Sequence, residues 1–192
     1  MDIQHRSSYI IAALLLVFMI MTRYHHFGSQ LHLPDASWAL FLAGGFYLKR
    51  SIYLGLFLAT AGAIDYFAIT QGGTSSYCIS PAYVFLIPAY AALWFGGKFY
   101  RSRYQFKWST LLPLAGTSVV AVAVCFLISN AAFYVLSGKF ADLNLAEYSQ
   151  RVMQYFPMFL NTTLGYIAAF SVIHSVIQVL TRSDRTDSTS PT

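Results

Sequence analysis

Charge is scarce in this chain. Only 10% of its 192 residues are Asp, Glu, Lys or Arg, where an average soluble domain carries about 25%. That poverty excludes an ordinary soluble globule. With hydrophobic residues at 57% and a mean hydropathy of +0.55, it defines an integral membrane protein. Cysteine is scarcer still: Cys78 and Cys125 are the two present, without CxxC spacing, which argues against a thiol oxidoreductase or a zinc site. No G-x-x-x-x-G-K-[ST] loop occurs, so the chain itself has no means of burning ATP. The net charge of +5 is no nucleic-acid signature, because the basic residues sit at the ends of apolar runs. The first apolar run lacks a small-residue cleavage site and reads as a retained span rather than a signal peptide. There is no internal repeat, and the length suits one compact bundle.

What is abundant is apolar helix. A helix needs about 20 apolar residues to cross a bilayer. Six segments qualify or nearly so: Ser7–Tyr24, Ala36–Leu48, Ser51–Thr70, Pro81–Tyr100, Thr110–Ser137 and Pro157–Leu180. The second is short, and its start is expected nearer Pro34. The expected fold is an all-α membrane bundle of six spans over residues 1–180, followed by a polar tail at 181–192 that reads as disordered. With six spans, nine Lys and Arg fall on the side of the termini and three (Arg23, Lys139 and Arg151) on the other. The positive-inside rule then puts both termini in the cytoplasm. Between the fifth and sixth spans, Leu145, Tyr148, Val152 and Phe156 recur at helical spacing. They predict a short amphipathic helix over Ala141–Phe156 on the outer surface, opened by an Asn144/Glu147 capping box and placed to act as a lid. Aromatic residues at 17% suit interface belts and a pocket for a large flat ligand.

The polar stretch Gln71–Tyr83 breaks two apolar runs and holds Cys78. Ser80-Pro81 reads as an N-cap followed by Pro in the first helical position. A thiol just before the positive end of a helix is biased toward thiolate, the form that attacks and binds metals. Cys78 is therefore a candidate ligand for a soft metal centre. The alternatives are a passive loop cysteine or a disulfide to Cys125, which the depth of Cys125 in the fifth span disfavours. Asp65 lies about 8 Å below the outer end of the third span. An ionisable residue there is either functional or half of a buried ion pair, with Arg23 as its partner. His25 and His26 follow Arg23 at the outer end of the first span. Adjacent histidines on a helix point about 100° apart, so one of them at most faces a given pocket, and His26 lies further out. Tyr83 could bond a polar ligand or anchor at the headgroups. Asn130, Tyr134, Asn161 and Thr162 are weaker cavity candidates, while His174, deeper toward the cytoplasm, suits a helix–helix hydrogen bond. Gly55, Ala59 and Ala63, at spacing four, read as a packing face inside the bundle or a docking face for a partner.

These residues carry a resemblance. The His25-His26 pair, the run D-A-S-W-A-L-F-L-A-G-G-F-Y-L from Asp35 to Leu48, Asp65, and Y-C-I-S-P-A-Y from Tyr77 to Tyr83 are similar to the BtuM family of small cobalamin transporters. That family consists of solitary relatives of the substrate-binding S-components of energy-coupling-factor transporters, and the likeness spans essentially the whole chain. It implies uptake of cobalamin through the bacterial inner membrane, with Cys78 ligating cobalt and displacing cyanide from cyanocobalamin. His26, Asp65 and Tyr83 would surround the pocket, with His25, Asn130 and Asn161 as further cavity residues. It also implies operation without a dedicated ATPase module, in keeping with the missing A-x-x-x-A pattern on the first span. The partners would be corrinoids and the bilayer, with a shared energy-coupling module as the less expected alternative and no nucleic acid. Competing readings are a corrinoid-modifying enzyme that removes cyanide with turnover, a haem or redox membrane protein, and a non-transporting scaffold. Haem would want two histidines on facing spans at one depth.

Overall fold

A computed structural model describes residues 3–24, 33–72 and 80–187. Within them all regular structure is helical. Its elements are α1 (Ile3–Arg23), α2 (Ser37–Tyr47), α3 (Ile52–Thr70), a 3-10 turn (Pro81–Phe85) leading into α4 (Leu86–Arg103), a second 3-10 turn (Trp108–Thr110) leading into α5 (Leu111–Leu136), and α6 (Leu145–Asp187). Four of these stretches are long and apolar enough to cross a membrane: Ile52–Thr70, Pro81–Arg103, Trp108–Leu136 and Leu145–Thr181. Large apolar side chains such as Leu112, Val120, Val172 and Leu180 point away from the protein. An apolar exterior of this extent suits acyl chains, not water. The chain is a membrane protein on these grounds.

The bundle is built around α2. With 11 residues it is about 16 Å long, half the thickness of the hydrocarbon layer. Every residue from Ser37 to Gly45 is buried, the pattern of a helix enclosed on all sides. The sequence places its start near Pro34, but the helix begins at Ser37, and residues 33–36 approach it without regular structure. Glycine lets α2 and α4 meet. A Cβ on Gly45 would overlap the carbonyl of Trp94, and a Cβ on Gly97 would overlap the carbonyl of Leu42. Around that crossing Phe41, Phe57 and Trp94 are fully buried, their rings meeting edge to face at centroid distances of 5.5 and 5.6 Å.

Four sequence expectations change here. The amphipathic segment Ala141–Phe156 is not a separate outer helix or lid. It runs without interruption into the apolar run that begins at Pro157 as one 43-residue helix, with Pro157 inside it. A proline removes one backbone donor, but here the packing outweighs it: Val152, Tyr155 and Phe156 before Pro157, and Phe159 and Leu160 after it, lie against the same core. The helix then continues past position 180 through Asp187, into the stretch expected to be a polar tail. Its first turn is capped as foreseen by Asn144, whose Oδ1 accepts from the Ala146 amide at 2.7 Å. The capping box is incomplete, because Glu147 instead accepts a hydrogen bond from the Tyr134 hydroxyl at 3.1 Å. Finally, Gly55, Ala59 and Ala63 do not pack inside the bundle. All three are exposed on α3, and a Cβ at Gly55 would meet nothing within 4 Å.

Candidate functional site

Arg23 ends α1, where a cation is favoured by the helix dipole. Its guanidinium is nearly buried, with 9% of the side chain exposed. Such a charge survives only when its donors are met, and the surrounding helices meet them. Nε donates to Asp65 Oδ1 and the second terminal nitrogen to Asp65 Oδ2, both at 2.7 Å, a bidentate pairing. The first terminal nitrogen faces Ser37 Oγ and the Tyr90 hydroxyl at 3.0 Å each and Asp35 Oδ2 at 3.3 Å. The Tyr83 hydroxyl donates to Asp65 Oδ2 at 2.5 Å. Asp35 Oδ1 accepts from the Ser37 amide at 2.8 Å and the Ser37 hydroxyl at 2.5 Å.

One guanidinium thus joins α1, the entry to α2, α3 and α4, and Asp65 extends the cluster to the Pro81–Phe85 turn through Tyr83. The ion-pair alternative for Asp65, with Arg23 as partner, is what the structure contains. The cluster holds two carboxylates against one guanidinium, a formal excess of one negative charge. Asp35, with 45% of its side chain exposed, and Asp65, with 22%, face the more open side. The Tyr83–Asp65 hydrogen bond also ties together the two chain segments that flank the Cys78 loop. Asp65 precedes that loop at the end of α3, and Tyr83 follows it.

Of the residues singled out from the sequence, Asp65 and Tyr83 come together. Cys78, His25 and His26 lie outside the described residues. Asn130 is half-buried on α5, and its Oδ1 has no hydrogen-bond partner among the described residues. Asn161 lies on the exposed face of α6, apart from the cluster. Tyr134 is a clamp: its hydroxyl accepts from the Asn144 amide at 2.9 Å and reaches the Asn144 carbonyl and Glu147 at 3.1 Å. Ser80 sits at the N-cap position, its carbonyl accepting from the Tyr83 amide at 2.9 Å. Its hydroxyl makes no capping bond, and the helix opens as a 3-10 turn. Cys125 is fully buried on α5.

Sequence reasoning missed Asp35, Ser37 and Tyr90. A signal existed for the first two: Asp35 is one of only seven acidic residues, and it opens an apolar run with Asp-x-Ser spacing, which favours local side-chain-to-backbone bonding. Tyr90 carries no such mark among fourteen tyrosines.

At the opposite end of the bundle, His174 makes the helix–helix hydrogen bonds expected of it. Nδ1 is 2.9 Å from the Tyr47 hydroxyl and Nε2 is 2.8 Å from the Tyr104 hydroxyl. Both ring nitrogens are engaged, which leaves none for an axial haem bond in this arrangement. Among the described residues no three His, Cys, Asp or Glu side chains gather as a metal-binding group. Compared with known proteins, the chain matches no family model and no curated protein.

Proposed function

We propose that this protein is an inner-membrane cobalamin transporter of the BtuM type, a solitary S-component-like bundle of six spans with both termini in the cytoplasm. The observation that carries this reading is the Arg23–Asp65–Tyr83 cluster. The chain enters the His25-His26 pair one residue after Arg23 and runs into and out of the Cys78 loop from Asp65 and Tyr83. The two segments singled out as pocket-forming therefore start from one hydrogen-bonded node. The node's excess negative charge suits a ligand whose centre is a cobalt(III) corrin, where a trivalent metal in a monoanionic ring leaves net positive charge.

In this account Cys78 acts as a thiolate. Its sulfur lone pair forms a bond to cobalt, and cyanide leaves with the electron pair of the cobalt–carbon bond. No oxidation state changes. A soft sulfur ligand fits a polarizable metal centre. His26 and Tyr83 border the bound vitamin, and Arg23 holds Asp65 in place. Because the thiolate remains on cobalt, one cyanide is released per vitamin bound. A corrinoid-modifying enzyme would release many, so cyanide counted per protein molecule separates the two readings. Transport itself is tested by uptake of labelled cobalamin into cells lacking their own corrinoid importer. Accumulation with the wild-type chain and none with Cys78→Ala supports the reading, and no accumulation with either contradicts it.

A further inference from the structure

A cavity lies at the other end of the bundle, around the Tyr47–His174–Tyr104 chain. It encloses about 370 Å³ between α2, the α4–α5 connection, the start of α5 and the second half of α6. That is the size of a small-molecule pocket. Its walls are apolar, formed by Phe46, Leu114, Ile167 and Phe170 among others. The imidazole and the two tyrosine hydroxyls at its heart satisfy one another, since each imidazole nitrogen of His174 faces a tyrosine hydroxyl. The cavity therefore offers an incoming polar ligand little and an apolar chain a great deal. Its charge has one sign. Among the described residues Lys107 is the single charged residue in the lining, and no carboxylate lines it. Beside Lys107 stands Trp108, 88% exposed, an indole where a membrane–water boundary favours one. Lys98, Arg101 and Arg103 cluster on the adjoining end of α4.

The geometry points to a binding site for an anionic phospholipid, with one acyl chain in the cavity and the phosphate at Lys107 and Trp108. The site is separate from the Arg23 cluster and independent of what that cluster binds. A bilayer lipid is the occupant because the cavity belongs to a chain with membrane-length helices and opens beside its basic end. An anionic headgroup is chosen over a zwitterionic one by the unopposed lysine.

The test is native mass spectrometry of the full-length protein, released from detergent after incubation with phosphatidylglycerol or phosphatidylcholine. The wild type should retain one phosphatidylglycerol in preference to phosphatidylcholine. Lys107→Glu should lower phosphatidylglycerol retention roughly tenfold and leave phosphatidylcholine unchanged. Ser175→Trp fills the cavity from an exposed position on α6 and should abolish retention of both, with an unchanged melting temperature confirming its fold. Excess inorganic phosphate should displace nothing. Equal retention of the two lipids in all three proteins would mean ordinary annular lipid and overturn the proposal. So would displacement by phosphate alone, which would assign the site to a soluble anion. Should Ser175→Trp not fold, the charge reversal at Lys107 decides by itself.

Discussion

Replacing Asp65 with alanine removes both short bonds to Arg23 and the acceptor of the Tyr83 hydroxyl. The guanidinium stays buried at 9% exposure, and three partners remain: Ser37, Tyr90 and the more distant Asp35. Breaking a buried ion pair from one side costs about 3–5 kcal/mol, because the surviving charge is left without compensation. The remaining partners and the 22% exposure of Asp65 place this case at the lower end, so about 3 kcal/mol is expected. For a chain of this size each kcal/mol lowers the melting temperature by about 2–4 °C, giving a fall of about 6–12 °C. The double variant Arg23→Met/Asp65→Leu removes both charges and replaces them with apolar volume. It should melt above Asp65→Ala, since two apolar groups are cheaper to bury than one unpaired charge. The assay is thermal unfolding of the detergent-purified single and double variants. A single variant within about 2 °C of wild type, or a double variant less stable than Asp65→Ala, would refute the claim that this pair holds α1 to α3.

Other perturbations follow from the same structure. Gly45→Ala and Gly97→Ala drive a methyl into the backbone of the facing helix, and each should cost about 1–3 kcal/mol in unfolding measurements. Gly62→Ala, which would meet nothing within 4 Å, should be neutral or stabilise by up to about 1 kcal/mol; equal losses at all three sites would contradict the α2–α4 crossing. His174→Leu strips the Tyr47 and Tyr104 hydroxyls of their shared partner and should lower stability by about 1–3 kcal/mol. An unchanged melt would show that these bonds stabilise nothing. Tyr134→Phe frees Asn144 and Glu147, and faster tryptic cleavage after exposed Lys139 is the expected readout, with unaltered cleavage as the contrary result.

Much of this architecture is legible in the sequence, because lipid leaves the backbone few options. Apolar runs of membrane length must be helices, and those from Ser51, Pro81 and Thr110 match α3, α4 and α5 with their leading turns to within a few residues. The Arg23–Asp65 pair is legible for a similar reason: a buried carboxylate needs a cation, and few cations lie on the same side. His174 follows the same logic of satisfying a polar group between helices. What the sequence hides is decided by tertiary packing. Pro157 signals a break on local grounds, but the apolar face on either side of it lies against one core and keeps the helix whole. The small residues of α3 look like a packing face, whereas the close crossing is made by Gly45 and Gly97 on other helices. Ser37 and Tyr90 enter the cluster only because α2 is enclosed by its neighbours, a property of the assembled bundle and not of any single segment.

Cobalt ligation by the Cys78 sulfur is read out by the visible absorption spectrum of protein produced with cyanocobalamin. Wild type and Cys78→Ser are purified side by side. With cobalt bound to Cys78, the wild-type protein is coloured with bands displaced from those of the free vitamin, and in the serine variant the displaced bands revert or vanish. A colourless wild-type protein, or a variant with the same displaced bands, would contradict cobalt ligation by Cys78.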